Sequence, residues 1–135
     1  KAEYLNIDFN NLIFSGKYDL AVSSLALHHL SDEKDVFDFY GKIYDSLNDD
    51  GLFINADVVL GSTKTLQEMF IKKWVAYMNR SVTMDEINNK WLSAYYQEDR
   101  PIPLMKHLEF LNKRNFKNID IIWKYFNYAV YIGEK

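Results

Sequence analysis

Residues 18–27 (YDLAVSSLAL) restrict the fold more than any other part of this chain. The run is apolar at odd and at even positions, so a strand formed by it would need cover on both faces. Strands of that kind are typical of parallel sheets with helices on each side. The run ends in His28 and His29, and a helix-start signal follows at Ser31. We therefore predict an α/β fold in which the two histidines follow a buried parallel strand.

A helix and a second apolar strand follow at the spacing of a β-α-β unit. Apolar residues at helical spacing predict a helix over 36–47, and the polar turn 48–51 (NDDG) ends it. Residues 52–59 (LFINADVV) are rich in β-branched side chains and predict a strand. A short strand is also predicted at 4–9. The predicted order is strand, strand, helix, strand. The helix between the last two strands is expected to form a right-handed crossover.

The second half of the chain is predicted to be mainly helical before it closes with two strands. Residues 62–100 contain two apolar helical faces, and the prolines at 101 and 103 end the second. A third helix is predicted over 104–113 and a closing hairpin within 119–132. The sequence contains no internal repeat, low-complexity tract or domain linker.

Composition limits the class of protein. With 135 residues and 48% apolar residues, the chain is large enough to bury a core. A net charge of −3 argues against a nucleic-acid partner, and the absence of cysteine excludes disulfides and cysteine metal sites. No signal peptide or membrane span is evident, so no membrane partner and a cytoplasmic location are expected. The chain begins at Lys1 without a methionine, which suggests a processed product or a fragment.

Polar side chains follow three of the predicted strands. Ligands of open α/β sheets bind outside the carboxyl ends of the parallel strands. Asp8 closes the first predicted strand, residues 24–29 follow the second, and Asp57 lies near the end of the third. Two carboxylates and two histidines are therefore expected along one rim of the sheet.

Three roles are open for the two histidines. The first is structural, since a histidine after a buried strand caps backbone groups or packs under the next helix. The second is metal binding, which we do not expect, because adjacent histidines rarely reach one ion and His107 is distant in the sequence. The third is general base catalysis, because histidine titrates near neutral pH and accepts a proton from a hydroxyl or amine.

Three stretches stand out when taken in order: YDLAVSSLALHHL at 18–30, LNDDG at 47–51 and LNKRNF at 111–116. Together these stretches resemble the C-terminal portion of a class I S-adenosylmethionine-dependent methyltransferase. They are similar to the family's phrase after strand four, its L-K-P-G-G turn and its L-x-x-A-G-F helix end. The glycine-rich G-x-G-x-G cofactor loop of the family is missing from the sequence.

The resemblance implies an incomplete Rossmann-like sheet. It would hold strands 3 to 7 of a seven-stranded sheet ordered 3-2-1-4-5-7-6, with a helical insert at about 62–103 after strand five. Residues 1–135 would then be the C-terminal part of a single methyltransferase domain. Without strands one and two, residues 18–27 would form an open apolar edge, which a second copy of the chain is expected to pair.

The resemblance also implies half of an S-adenosyl-L-methionine site. Asp8 stands where the family binds the adenine amino group, and residues 23–25 stand beside the methionine part of the cofactor. The full set implied for the cofactor is Asp8, Phe9, Ser23, Ser24, Leu25 and His29.

The implied catalytic pair is His28, which would take a proton from the substrate, and Asp57, which would orient the imidazole. Family members often cover the substrate with helices after strand five, and this implies an aromatic lid of Trp74, Tyr77, Trp91 and Tyr95. A simpler interpretation is that these rings pack the insert onto the sheet.

The leading hypothesis is that the parent protein is a methyltransferase acting on a small molecule, and that this chain alone is inactive. A non-catalytic binding or dimerisation module that retains half of the fold is the alternative. An unrelated Rossmann-like α/β protein is a third, since fold does not imply function.

Overall fold

A four-stranded mixed sheet forms the centre of the protein. The structure, a computed structural model, describes residues 4–135 apart from the side chain of Asn10. The strands are β1 (Tyr18–Ser24), β2 (Leu47–Val58), β3 (Lys117–Tyr125) and β4 (Tyr128–Glu134). Their order in the sheet is β1-β2-β4-β3. β1 and β2 are parallel, and β4 is antiparallel to both of its neighbours. The predicted α/β class is confirmed.

Helices occupy the connections from β1 to β2 and from β2 to β3. They are α1 (Glu33–Ser46), α2 (Lys64–Met78), α3 (Met84–Glu86), a π-helical segment (Ile87–Leu92), α4 (Ser93–Gln97) and α5 (Leu104–Lys113). Short 3₁₀ turns lie at Phe9–Asn11 and Leu27–His29. No helix in the described part of the chain is both long and apolar enough to cross a bilayer.

Local signals determine where α1 begins. The carboxylate of Asp32 accepts a hydrogen bond from the backbone N–H of Asp35 at 2.9 Å, so Asp32, and not Ser31, is the N-cap. The helix then buries Val36, Tyr40 and Ile43. These side chains belong to the main apolar core, which lies between α1, α5 and the β2–β4 half of the sheet.

The predicted strand at 4–9 does not form. Residues 4–8 have no regular structure, and a 3₁₀ turn follows them. A strand needs a hydrogen-bonded neighbour, and β1 pairs only with β2 among the described residues.

Strand β1 is far less buried than predicted. Leu20 and Val22 are 51% and 64% exposed. The strand also ends earlier than predicted, at Ser24, because Leu25 adopts a left-handed conformation with φ 49°. The expected cover on both faces is therefore wrong for this strand, and its outer edge is open in the described part of the chain.

The turn at 48–51 forms as an irregularity within β2. Leu47 pairs with Tyr18 and Leu52 pairs with Leu20, so the extra residues of β2 bulge out of the ladder. At Gly51 a Cβ atom would lie 2.8 Å from the carbonyl oxygen of Asn48, which only glycine avoids.

Candidate active site at the ends of strands β1 and β2

His28 and Asp57 form a buried pair where two parallel strands end. Nδ1 of His28 lies 2.5 Å from Oδ1 of Asp57. The backbone N–H of His28 donates to Oδ2 of Asp57 at 3.2 Å, and the N–H of Val58 donates to Oδ1 at 2.9 Å. Three N–H groups thus donate to one carboxylate. Because Asp57 accepts a hydrogen bond from Nδ1–H, the neutral imidazole carries its hydrogen on Nδ1. Its Nε2 is then available to accept a proton.

The sequence produces this pair through two local features. Leu25 turns the chain after β1, and its N–H donates to the carbonyl of Ala56 at 2.8 Å. The 3₁₀ turn at Leu27–His29 then directs His28 inward, where it is 8% exposed. Asp57 is 2% exposed on the inner face of β2. The expected meeting of the two strand ends is thus seen for these two residues.

A third charged residue, Asp99, lies at the same place, and sequence reasoning missed it. Its Oδ1 lies 3.6 Å from Nε2 of His28 and 3.7 Å from Nδ1 of His29. Asp99 follows α4 and comes immediately before Arg100 and Pro101. Nothing in its local sequence marks it, because its position depends on how the insert folds back over the sheet.

Backbone hydrogen bonds fix the segment that carries Asp99. The N–H of Arg100 donates to the carbonyl of His28 at 2.6 Å. Two residues later, the carbonyl of Ile102 accepts from the N–H of Leu60 at 3.1 Å, beside a bridge from Leu60 to Pro103. The insert is therefore anchored next to the histidines.

The two carboxylates favour the protonated form of His28 and so raise its pKa. Burial lowers the pKa of His28, but the hydrogen bond to Asp57 and the charges of Asp57 and Asp99 together outweigh it. The pKa of His28 therefore lies above its usual value of 6.5.

Three of the six residues expected on the cofactor side line one cavity. Phe9, Ser23 and Ser24 lie around a cavity of about 450 Å³ beside β1. The hydroxyl of Ser23 is buried and has no hydrogen-bond partner in the described part of the chain. A buried polar atom in a cavity wall is one that a bound polar molecule would satisfy. The arrangement fits one side of a cofactor site.

The other three expected cofactor residues lie outside that cavity. Asp8 and Leu25 are exposed, and Leu25 forms the turn after β1. The ring of His29 is tilted against that of His28, with centroids 4.1 Å apart, and it faces Asp99 instead.

The four expected lid aromatics do not line a common cavity. Trp74, Tyr77 and Trp91 line one of about 340 Å³. Tyr95 is buried against Trp74, with ring centroids 5.6 Å apart, and lines a second cavity of about 420 Å³ together with Asp99. Of the four, Tyr95 is thus the ring associated with the His28 region.

Solved structures of S-adenosylmethionine-dependent methyltransferases have this fold. One is human N-acetylserotonin methyltransferase in complex with SAM. It aligns with a TM-score of 0.58 and 12% identity over 97% of this chain and 33% of that one. The resemblance found in the sequence is therefore confirmed. The chain has the fold of the C-terminal portion of a class I S-adenosylmethionine-dependent methyltransferase, without the glycine-rich loop.

Two curated relatives give a more particular similarity. Both are carboxy-S-adenosyl-L-methionine synthases, from Nautilia profundicola and Campylobacter hominis, and each is 27% identical to this chain. The matches cover 100% of this chain and 57% of each relative, so the chain spans little more than half of their length. No protein-family model matches.

Proposed function

We propose that the parent protein is an S-adenosylmethionine-dependent methyltransferase acting on a small molecule, and that this chain supplies the substrate side of its site. The observation that carries the proposal is the His28–Asp57 pair at the carboxyl ends of two parallel strands. In open α/β sheets this is where ligands bind. The cavity beside β1 would receive part of the cofactor.

In this proposal His28 accepts the proton of the nucleophile. S-adenosyl-L-methionine supplies the methyl group when it is bound. Asp57 fixes the imidazole through Nδ1 at 2.5 Å, so that Nε2 is presented to a hydroxyl or amine of the substrate. The carboxylate of Asp99 stands 3.6 Å from Nε2, so an entering substrate must displace it.

The cofactor side is supported by fewer contacts. Phe9 and the hydroxyls of Ser23 and Ser24 would lie against the cofactor in the cavity of about 450 Å³. Asp8, Leu25 and His29 belong to the proposal through the family resemblance alone. The glycine-rich loop is not among these residues, so the chain alone is proposed to be inactive.

The aromatic lid also stays part of the proposal. Tyr95 is its best-supported member, because it shares a cavity with Asp99. Trp74, Tyr77 and Trp91 would contact a substrate only if it extended into the neighbouring cavity of about 340 Å³.

A second copy of the chain is the proposed partner of the open edge. Leu20 and Val22 are exposed on β1, whose outer edge has no neighbour among the described residues. Edges of this kind pair readily with other strands.

The curated relatives favour a second candidate, synthesis of carboxy-S-adenosyl-L-methionine. Both relatives carry that name and match the whole of this chain. In such a reaction S-adenosylmethionine would itself be modified. His28 would then accept or donate a proton on a reactant other than a methyl acceptor.

One experiment separates the candidates. The full-length gene product is incubated with methyl-labelled S-adenosylmethionine and a cell extract of small molecules, and all products are analysed by mass spectrometry. Label on an acceptor supports a methyltransferase, whereas S-adenosylmethionine that has gained a carboxyl group supports the second candidate. Neither product from folded protein would favour a non-catalytic module. In either enzyme, His28→Asn should abolish turnover.

A further inference from the structure

Three ligand atoms converge at the site although the sequence predicts no metal there. Nε2 of His28 and Nδ1 of His29 lie 3.6 Å and 3.7 Å from the same oxygen of Asp99. All three atoms lie within 4.8 Å of one another. The two rings lie side by side, because the 3₁₀ turn brings their centroids to 4.1 Å.

We propose that His28, His29 and Asp99 form a binding site for a divalent transition metal of the zinc type. The two nitrogen–oxygen distances are close to those that such an ion requires. Zinc binds imidazole nitrogen and carboxylate oxygen at about 2.1 Å, so neighbouring ligands of a tetrahedron lie about 3.4 Å apart. The two nitrogen–oxygen distances of 3.6 Å and 3.7 Å need little adjustment to reach this value.

Asp57 provides the support that metal-binding histidines usually have. A ligating histidine commonly donates its other ring N–H to a carboxylate, which fixes the ring and makes the ligand more basic. Nδ1 of His28 meets Asp57 in this way at 2.5 Å, so Nε2 is directed toward the proposed ion.

The ligands are held in place before any ion binds. The hydrogen bond from the N–H of Arg100 to the carbonyl of His28 ties the residue after Asp99 to the first histidine. The N–H of His29 donates to the carbonyl of Ala26 at 3.2 Å and fixes the turn. An ion has access from solvent, because the His29 side chain is 49% exposed.

The ligand set determines the class of ion. Two imidazoles favour zinc, cobalt, nickel, copper or iron, whereas magnesium and calcium prefer oxygen ligands throughout. Three protein ligands leave a fourth tetrahedral position open, as in zinc sites that bind a water or a substrate oxygen.

Metal binding goes beyond the proposed function and does not depend on it. An ion and a proton would use the same nitrogen of His28, so the metal-bound protein would not use His28 as a base. Metal titration needs neither cofactor nor substrate, so a failure to bind metal would leave the proposed methyltransferase function untouched.

The test is metal titration of the purified chain after treatment with a chelator. Binding of zinc chloride is followed by calorimetry. Binding of cobalt chloride is followed by the visible absorption of tetrahedral cobalt. We expect one equivalent of either ion to bind, and magnesium chloride to give no signal. His29→Ala and Asp99→Asn should each weaken binding at least about tenfold, and Asp57→Asn about 10- to 100-fold.

Glu98→Gln is the matched control, because it removes the adjacent exposed negative charge and should leave zinc affinity unchanged. Circular dichroism shows that each variant is folded. Absence of zinc and cobalt binding to the folded chain would overturn the proposal. So would zinc binding that survives both His29→Ala and Asp99→Asn.

Discussion

The hydroxyl of Tyr40 lies 2.6 Å from Nδ1 of His107 in the centre of the core. It also lies 2.7 Å from the hydroxyl of Tyr131, which in turn accepts from the side-chain amide of Asn55 at 2.6 Å. The NH₂ group of Asn55 can only donate, so every hydroxyl hydrogen finds an acceptor when Tyr131 donates to Tyr40 and Tyr40 donates to Nδ1 of His107. The network therefore needs His107 neutral, with Nδ1 as the acceptor.

This network predicts a loss of stability in acid. Burial lowers the pKa of His107 to about 4, and the charge of Asp57 raises it only in part. Between pH 6.5 and 4 the unfolded chain binds a proton that the folded chain does not, so stability falls as the pH falls. The expected loss is about 3 kcal/mol. Urea unfolding at a series of pH values measures it.

His107→Asn is the variant that isolates this contribution. Its side-chain oxygen can accept from Tyr40 at the position of Nδ1 without titrating. We expect its stability to change less between pH 6.5 and 4 than that of the original chain. If the folded variant lost as much stability between pH 6.5 and 4 as the original chain, His107 would not be the source of the loss.

The buried pair predicts a second effect on stability. Asp57→Asn removes the negative charge that faces Nδ1 and the backbone N–H of His28. Breaking a buried ion pair in this way should cost about 3 kcal/mol in the free energy of unfolding. Asp49→Asn, at an exposed position, is the control and should change stability by less than about 0.5 kcal/mol. Equal stabilities of the two variants would count against a structural role for the pair.

Local sequence signals predicted the helices well. α5 covers 104–113 as predicted, and the hairpin of β3 and β4 lies where closing strands were expected. These elements depend on periodicity, caps and prolines, which are all local. The α/β class followed from the same signals.

Features that depend on distant partners were not predictable. β1 looked buried because its composition is apolar, yet its exposure depends on which elements pack on it. The strand at 4–9 lacks a neighbour for the same reason. Asp99 reaches His28 only through the folding of the insert, which no spacing rule describes.

The open edge of β1 predicts self-association of the chain. Val22→Lys introduces a charge where a second copy would pair, so the predicted dimer should dissociate. Ile122→Lys is the matched control, since Ile122 is 56% exposed on β3, the opposite edge strand of the sheet. Size-exclusion chromatography with light scattering measures the mass of each. A monomeric original chain, or dissociation by both variants alike, would exclude β1 as the interface.

Cofactor binding provides another test of how complete the site is. S-adenosylhomocysteine titrated into this chain should bind at least about tenfold more weakly than to the full-length protein, because the glycine-rich loop is missing. Isothermal titration calorimetry gives both affinities. Equal affinities would mean that the described residues, or a second copy of them, already complete the cofactor site.

Removing the Ser23 hydroxyl is expected to change stability and cofactor affinity in opposite directions. Its hydroxyl is buried without a partner in the described part of the chain, so Ser23→Ala should leave stability unchanged or raise it by about 1 kcal/mol. If the hydroxyl bonds the cofactor, the same change in the full-length protein should weaken S-adenosylhomocysteine binding about fivefold, because a hydrogen bond is worth about 1 kcal/mol. Ser24→Ala, at the next and exposed position, is the control for stability. If Ser23→Ala lowered the stability and left the cofactor affinity unchanged, the role of Ser23 would be structural only.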